Sequence, residues 1–243
     1  MLKINPEKEK NRIVKFIKET FQEKGFKKAV IGISGGLDSA VVGVLLVEAL
    51  GNKNVHGFIL PYGEQEDIKD SCNVGGILKI ELAQYNIKPM IDVYKEVDSD
   101  ISKIDLGNIM ARIRMIILYH SSSVANALVA GTGNKTELML GYFTLHGDGA
   151  CAILPIGHLY KTQVFQLAEY LNVPRNIIEK APSAGLWEGQ TDEGELGMTY
   201  NEIDKMLYKY DNIQYVDQFS FRKIRDMIKK NKFKLEGPNM IKG

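Results

Sequence analysis

Residues 34–39 read SGGLDS and lead from one apolar run, KKAVIGI (27–33), into another, DSAVVGVLLVEALG (38–51). Adjacent glycines, Gly35 and Gly36, adopt backbone conformations closed to other residues and let an anion approach the main chain. A helix beginning here leaves its first-turn amides without partners, and its dipole adds positive potential. Ser34 and Ser39 supply hydroxyl donors. The stretch reads as an anion cradle suited to phosphate or pyrophosphate. Asp38 would repel a phosphate unless a divalent cation lay between carboxylate and phosphate oxygens, the arrangement Mg²⁺ prefers. The plainer alternative is a tight strand-to-helix turn with Asp38 as a helix cap. Other phosphate loops fail here. The chain has no adjacent Gly-Lys pair and therefore no Walker A loop. GDGACA (147–152) fits the loose pattern G-x-G-x-x-A, but no clear strand precedes it and the ILPIG that follows cannot begin a helix, so it is a decoy.

Such a cradle needs a strand before it and a helix after it, and the rest of the chain repeats that alternation. Strands are expected at 27–33, 54–61, 87–93, 127–132 and 151–156, and helices at 38–51, 66–86, 106–126, 134–143 and 160–173. Gly75 and Gly76 weaken the helix at 66–86, and Pro174 stops the one at 160–173. The N-terminus predicts an amphipathic helix with Ile13, Phe16, Ile17 and Phe21 on one face, and 199–210 and 221–232 are helical at the other end. Strands alternating with helices imply crossover connections. The expected fold is a doubly wound α/β domain, with a mainly parallel five-stranded sheet and helices on both faces, spanning 1–243 as a single unit. Ligands of such sheets bind outside the carboxyl ends of the strands, where residues 34–39 fall. The one long irregular stretch is 181–198, and loops of that length are usually functional or mobile.

Composition sets limits. The 243 residues are 44% hydrophobic and 25% charged, with a net charge of +1. That balance exerts no global pull on nucleic acid or membrane, so an acidic ligand must be held by local groups. No apolar run approaches the about 20 residues of a membrane span. The N-terminus is too charged for a secretory signal. Two distant cysteines, Cys72 and Cys151, make no disulfide framework. The expected compartment is the cytoplasm. The four histidines lack metal-ligand spacing. The basic run at the C-terminus carries Phe221, Ile224 and Ile228 at helical spacing, which reads as a packed helix with a solvated face rather than a nucleic-acid site.

The string SGGLDS resembles the pyrophosphate loop of the ATP pyrophosphatase superfamily, whose members split ATP into AMP and pyrophosphate. LGNIMARIRM (106–115), GTGNKTELMLGYFTLHGD (131–148), LPIGHLYKTQV (154–164), KAPSAGLWEGQTDEGELG (180–197) and TYNEID (199–204) are similar, in order, to blocks of NAD synthetase, over nearly the whole chain. The resemblance implies an adenine-nucleotide α-hydrolase-like fold and a two-step amidation. The nicotinate carboxylate of deamido-NAD attacks the α-phosphorus of ATP and releases pyrophosphate, and ammonia then displaces AMP. Adenylation is needed because a carboxylate has no usable leaving group. Positioning and electrostatics should dominate, with no covalent nucleophile.

Residue by residue, the resemblance implies that Gly32, Ile33, Ser34, Gly35, Gly36, Leu37, Asp38 and Ser39 bind ATP together with Thr132, Lys161 and Ser183. Asp38 and Glu137 would hold Mg²⁺. Read alone, Glu137 is a first-turn acid favouring a helix dipole, Thr132 lies near a helix cap, and Lys161 is a helix-start lysine. Arg112 matches a deamido-NAD contact. Arg112 and Arg114 are two apart on a helix and cannot both line one pocket. Leu145 and Ala152 stand where many members carry lysine and aspartate, both deamido-NAD contacts. A lost ion pair is the simplest account, and a changed substrate the other. Near the C-terminus the usual His-Lys pair is Phe233-Lys234 here, also at substrate-contact positions. The resemblance implies a homodimer with the substrate site across its interface. Too little chain precedes the first strand for a fused glutaminase domain, so free ammonia or a separate glutaminase is the expected donor. Asp192, Glu193 and Glu195 could form a lid, bind metal or keep a loop solvated. Two other readings stay open: a tRNA-modifying enzyme of the superfamily, and a non-catalytic ATP sensor.

Overall fold

The computed structural model describes residues 2–65, 67–183, 189–237 and 240–241. Residues 184–188, within the irregular stretch 181–198, lie outside the described residues. Helix α1 (Pro6–Glu23) is capped by Asn5 and buries Ile13, Val14, Ile17 and Phe21. Phe16, expected on that face, is 43% exposed, and Val14 takes its place in the stripe. The core then grows through β1 (Lys28–Gly32), α2 (Leu37–Leu50), β2 (Val55–Ile59), α3 (Asp67–Leu78) and β3 (Glu81–Gln84). Next come α4 (Lys88–Val97), α5 (Lys103–Ala125), β4 (Ala127–Ala130), α6 (Lys135–Leu140) and α7 (Lys161–Tyr170). The chain ends with α8 (Arg175–Ile178), α9 (Asp192–Leu196), α10 (Tyr200–Asp211) and α11 (Gln218–Asn231).

The four strands pair in the order β3-β2-β1-β4, every pair parallel. From β1 the chain steps outward to β2 and β3. Helices α4 and α5 then carry it back to β4 on the far side of β1. The direction of winding reverses between β1 and β4, and that reversal opens a crevice at their carboxyl ends. Side chains of β1 alternate across the sheet. Ala29 and Ile31 pack with α1, α2 and α7, and Val30 packs with Phe58, Met115 and Leu118 beneath α5. Helix α2 is apolar on nearly every side because it is enclosed by α1, α7, α3 and the sheet.

Three expectations about the sheet are corrected. The helix expected over 66–86 ends at Leu78, and 81–84 form the edge strand β3. ELAQ has little intrinsic strand preference, and its pairing with β2 is what makes it a strand. The strand expected at 87–93 is instead part of α4, where Pro89 occupies the first turn, a place that suits its fixed φ and missing N–H. The fifth strand, expected at 151–156, shrinks to one parallel bridge between Ala130 and Ile153. Pro155, which has no N–H to donate, prevents the ladder from continuing. The sheet therefore has four strands among the described residues, not five.

Candidate active site

A cavity of about 1020 Å³ opens at the carboxyl ends of β1 and β4. Its floor is the turn between β1 and α2. Gly35 has φ +76°, and a Cβ there would lie 2.8 Å from the Asp67 carbonyl oxygen. No other residue type fits this turn without moving α3. Gly36 is the N-cap of α2 and has no side chain to cap it. The two serines partly stand in. Ser34 Oγ accepts from the Gly36 amide at 3.3 Å, and Ser39 Oγ donates to the Gly36 carbonyl at 3.0 Å and accepts from the Ser34 amide at 3.3 Å. Among the described residues the amides of Gly35, Leu37, Asp38 and Ser39 have no acceptor. The cradle is thus partly self-satisfied by its serines and partly open.

Three charges meet above this turn. Lys161 Nζ donates to Asp38 Oδ2 and lies 3.7 Å from Glu137 Oε1. Asn134 links the two acids: its Nδ2 donates to Asp38 Oδ1 at 3.2 Å. Asn134 also caps α6 in a reciprocal box, with Glu137 N to Asn134 Oδ1 at 3.1 Å and Asn134 N to Glu137 Oε2 at 3.1 Å. The helix-start acid and the site acid are therefore the same carboxylate. Burial, with Asp38's charge nearby, pushes the Glu137 carboxyl above the usual carboxylate range, against the pull of Lys161. Burial alone would lower the Lys161 ammonium, but the two acids outweigh it and raise it. Tyr200 places its ring under Lys161 Nζ, 5.4 Å from the centroid, and donates to Asp192 Oδ2 at 2.8 Å. Tyr142 donates to Glu195, so α9 is latched over the cavity by two tyrosines.

Among the described residues no group of three or more His, Cys, Asp or Glu could hold a metal by itself. Asp38 and Glu137 nevertheless offer hard oxygens converging on one cation, and Mg²⁺ is typically held by one or two carboxylates plus substrate phosphates. The donor set fits Mg²⁺ on those terms.

Of the remaining expected ATP contacts, Gly32, Ile33, Thr132 and Ser183 line the cavity together with Ser34, Gly36, Leu37 and Ser39. Gly35, also expected to contact ATP, does not line the cavity and lies against α3. The substrate residues are less assembled. Lys234 lines the cavity and donates to the carbonyls of Gly141 and Phe143, each at 2.8 Å. Arg112 does not line it; its Nε donates to the Leu145 carbonyl at 3.2 Å, so these two expected contacts touch each other. Ala152 is exposed, its amide bonded to Val129 O at 2.9 Å. Phe233 is 57% exposed. Arg114, on the other face of α5, does line the cavity, and burial lowers its guanidinium to about 10. Sequence reasoning missed Asn134, though Asn-x-x-Glu is a readable capping signal, and missed Tyr200, for which no local signal exists. The Cys151 thiol is pushed up to about 11 by burial, the opposite of what a cysteine nucleophile needs. GDGACA folds as a tight turn, with Gly147 and Gly149 amides bonded to Thr144 O.

The family described as NAD synthase matches residues 9–238. An NH₃-dependent NAD⁺ synthetase of Archaeoglobus fulgidus is 45% identical over 238 residues, 97% of this chain and 96% of that protein. Among solved structures, the NMN synthetase of Francisella tularensis superposes with a TM-score of 0.90 at 36% identity, over 98% of this chain and 99% of that one. The NH₃-dependent NAD synthetase of Campylobacter jejuni, in complex with nitrate, superposes with a TM-score of 0.85 at 31% identity, over 98% and 100%. A glycine turn at the winding reversal, the acids and lysine gathered above it, and likeness along almost the entire length agree: the chain belongs to the NAD synthase family.

Proposed function

We propose that this chain is an ammonia-dependent NAD synthetase that amidates the nicotinate carboxylate of deamido-NAD at the expense of ATP. The observation that carries the reading is the Asp38–Lys161–Glu137 cluster above the open amides of the 34–39 turn. The open amides and the α2 dipole bind the β- and γ-phosphates. Lys161 exchanges its carboxylate partners for phosphate oxygens as the nucleotide enters. Asp38 and Glu137 would hold Mg²⁺, which when bound neutralises phosphate charge. The carboxylate oxygen forms a bond to the α-phosphorus as the bond to the pyrophosphate oxygen breaks. Ammonia then adds to the acyl carbon, loses a proton, and AMP departs with the oxygen. The latch of α9 by Tyr142 and Tyr200 keeps water from the acyl-adenylate.

Incubation with MgATP, deamido-NAD and ammonium should yield NAD⁺, AMP and pyrophosphate in equal amounts. Formation of ADP would overturn the reading. Exposed Ile116, Tyr119 and Val124 on α5 support a homodimer, and two unpaired cysteines fit a reducing cytoplasm. No helix among the described residues is long and apolar enough to cross a membrane.

A second reading of the acceptor has a specific observation behind it. The family resemblance implies a lysine and an aspartate on deamido-NAD where this chain has Leu145 and Ala152, and the Francisella tularensis neighbour is described as an NMN synthetase. The acceptor would then end at the mononucleotide, the deamidated form of NMN. Comparing kcat/KM for the two acceptors decides between them.

A further inference from the structure

We infer that Asp204, through Thr136, is a positioning residue for Lys161, so that helix α10 holds that lysine at both its ends. The inference rests on the reading of Lys161 as an ATP-phosphate contact. Lys161 is the first residue of α7, where backbone amides have no intrahelical partner and the dipole disfavours a cation. Its N-cap, Tyr160, makes no side-chain capping bond. The missing caps come from elsewhere. The Lys161 amide donates to Thr136 Oγ1 at 2.9 Å, and the Thr136 hydroxyl donates to Asp204 Oδ1 at 2.6 Å. The next amide, Thr162 N, donates to Asp204 Oδ2 at 2.7 Å. Asp204 is 1% exposed, and both carboxylate oxygens are used.

The side-chain end is held from the same helix. Tyr200, one turn before Asp204 on the buried face of α10, lies beneath the Lys161 ammonium. Thr136 also precedes Glu137 on α6, so the buried carboxylate ties α6 and α7 to α10 at one point. An aspartate at a core-facing helix position is costly unless its charge is satisfied. Here it meets two donors, one of them a helix N-terminus. A neutral amide at position 204 cannot accept from both without turning its NH₂ towards an N–H or a hydroxyl already in use.

The test pairs Asp204→Asn with Thr136→Val and Thr136→Ser. Kinetic constants for ATP and ammonium, the Kd for MgATP and the melting temperature are measured on each. Positioning predicts that Thr136→Ser retains wild-type values. Asp204→Asn and Thr136→Val should each lose about 10²-fold in kcat/KM for ATP, the cost typical of misplacing a reactive group by about 1 Å. Their MgATP Kd should rise about tenfold, with KM for ammonium unchanged, and the double variant should lose no more than the worse single. Lower melting temperatures with wild-type MgATP affinity and kcat/KM would overturn the inference, because the network would then be structural only. If Asp204→Asn fails to fold, the Thr136 pair decides: equal values for valine and serine overturn it. MgATP affinity reads positioning without turnover, so an inactive wild-type chain would remove the proposed reaction and not this test.

Discussion

Lys161 keeps two acids together, and its removal is the sharpest perturbation available at the scale of one residue. Lys161→Met leaves Asp38 and Glu137 facing each other without the cation between them. Breaking a buried pair typically costs about 3–5 kcal/mol, so the metal-free variant should melt well below wild type near neutral pH. Without the pull of Lys161, the buried Glu137 carboxyl favours protonation in the folded state still more. The deficit should therefore shrink as pH is lowered toward about 5, and Mg²⁺ should restore part of it. A pH-independent deficit in thermal melts would remove this account. Glu137 gives the converse case. Burial raises its carboxyl, so folding favours the protonated form. Its contribution to stability is present below the unfolded value and lost as pH rises through the raised one. Glu137→Gln fixes the neutral state and keeps an oxygen for the Asn134 amide. It should raise the melting temperature of the metal-free protein at about pH 8, while lowering turnover about 10²-fold.

At the scale of elements, α3 rests directly on the sheet through two glycines and one leucine. A Cβ on Gly75 would lie 2.1 Å from Leu82 Cδ1, and one on Gly57 would lie 2.6 Å from Leu82 Cδ2. Gly75→Ala would drive its methyl into the Leu82 side chain, which must shift, and should destabilise by about 1–3 kcal/mol, read by urea unfolding. Gly76 is exposed, with nothing within 4 Å of an added Cβ. Gly76→Ala should stabilise by about 0.5–1 kcal/mol through helix propensity. Opposite signs at adjacent glycines are the test, and equal signs would show that Leu82 does not set the helix-to-sheet distance. The sequence reads both glycines alike, as weak points of a helix, because propensity knows nothing of what packs against them. The same blindness explains the misread strands. Ile87, Ile91 and Val93 suggest a strand, yet only Ile87 and Ile91 are buried, a helical spacing. ELAQ has no strand signal and becomes one only by pairing with β2.

At the scale of the whole molecule, the two thiols report how the fold partitions solvent. Cys72 is exposed on α3. Cys151 packs against Gly131, and its thiol is pushed up to about 11. At about pH 8 an excess of a thiol reagent should label Cys72 quickly and Cys151 slowly, with the Cys151 rate rising about tenfold per pH unit because the thiolate is the nucleophile. Equal rates on mass spectra of the labelled chain would show that the bridge between Ala130 and Ile153 opens readily. What the amino-acid order alone determined is the local chemistry: a glycine turn between a buried strand and a buried helix, the helix caps, and the parallel α/β class. These follow from neighbours within a few residues, where spacing and backbone geometry suffice. Tertiary structure alone decided which residues meet. Asp38 on α2, Asn134 and Glu137 at the start of α6, Lys161 on α7, and Tyr200 and Asp204 on α10 come from four elements, and their encounter depends on the chain reversing its winding between β1 and β4 and on α10 packing beneath α7. Likewise Arg114, not Arg112, turns to the cavity because of how α5 is rotated against the sheet. Rotation and long-range docking are set by how whole faces fit, and no local run of residues encodes that fit.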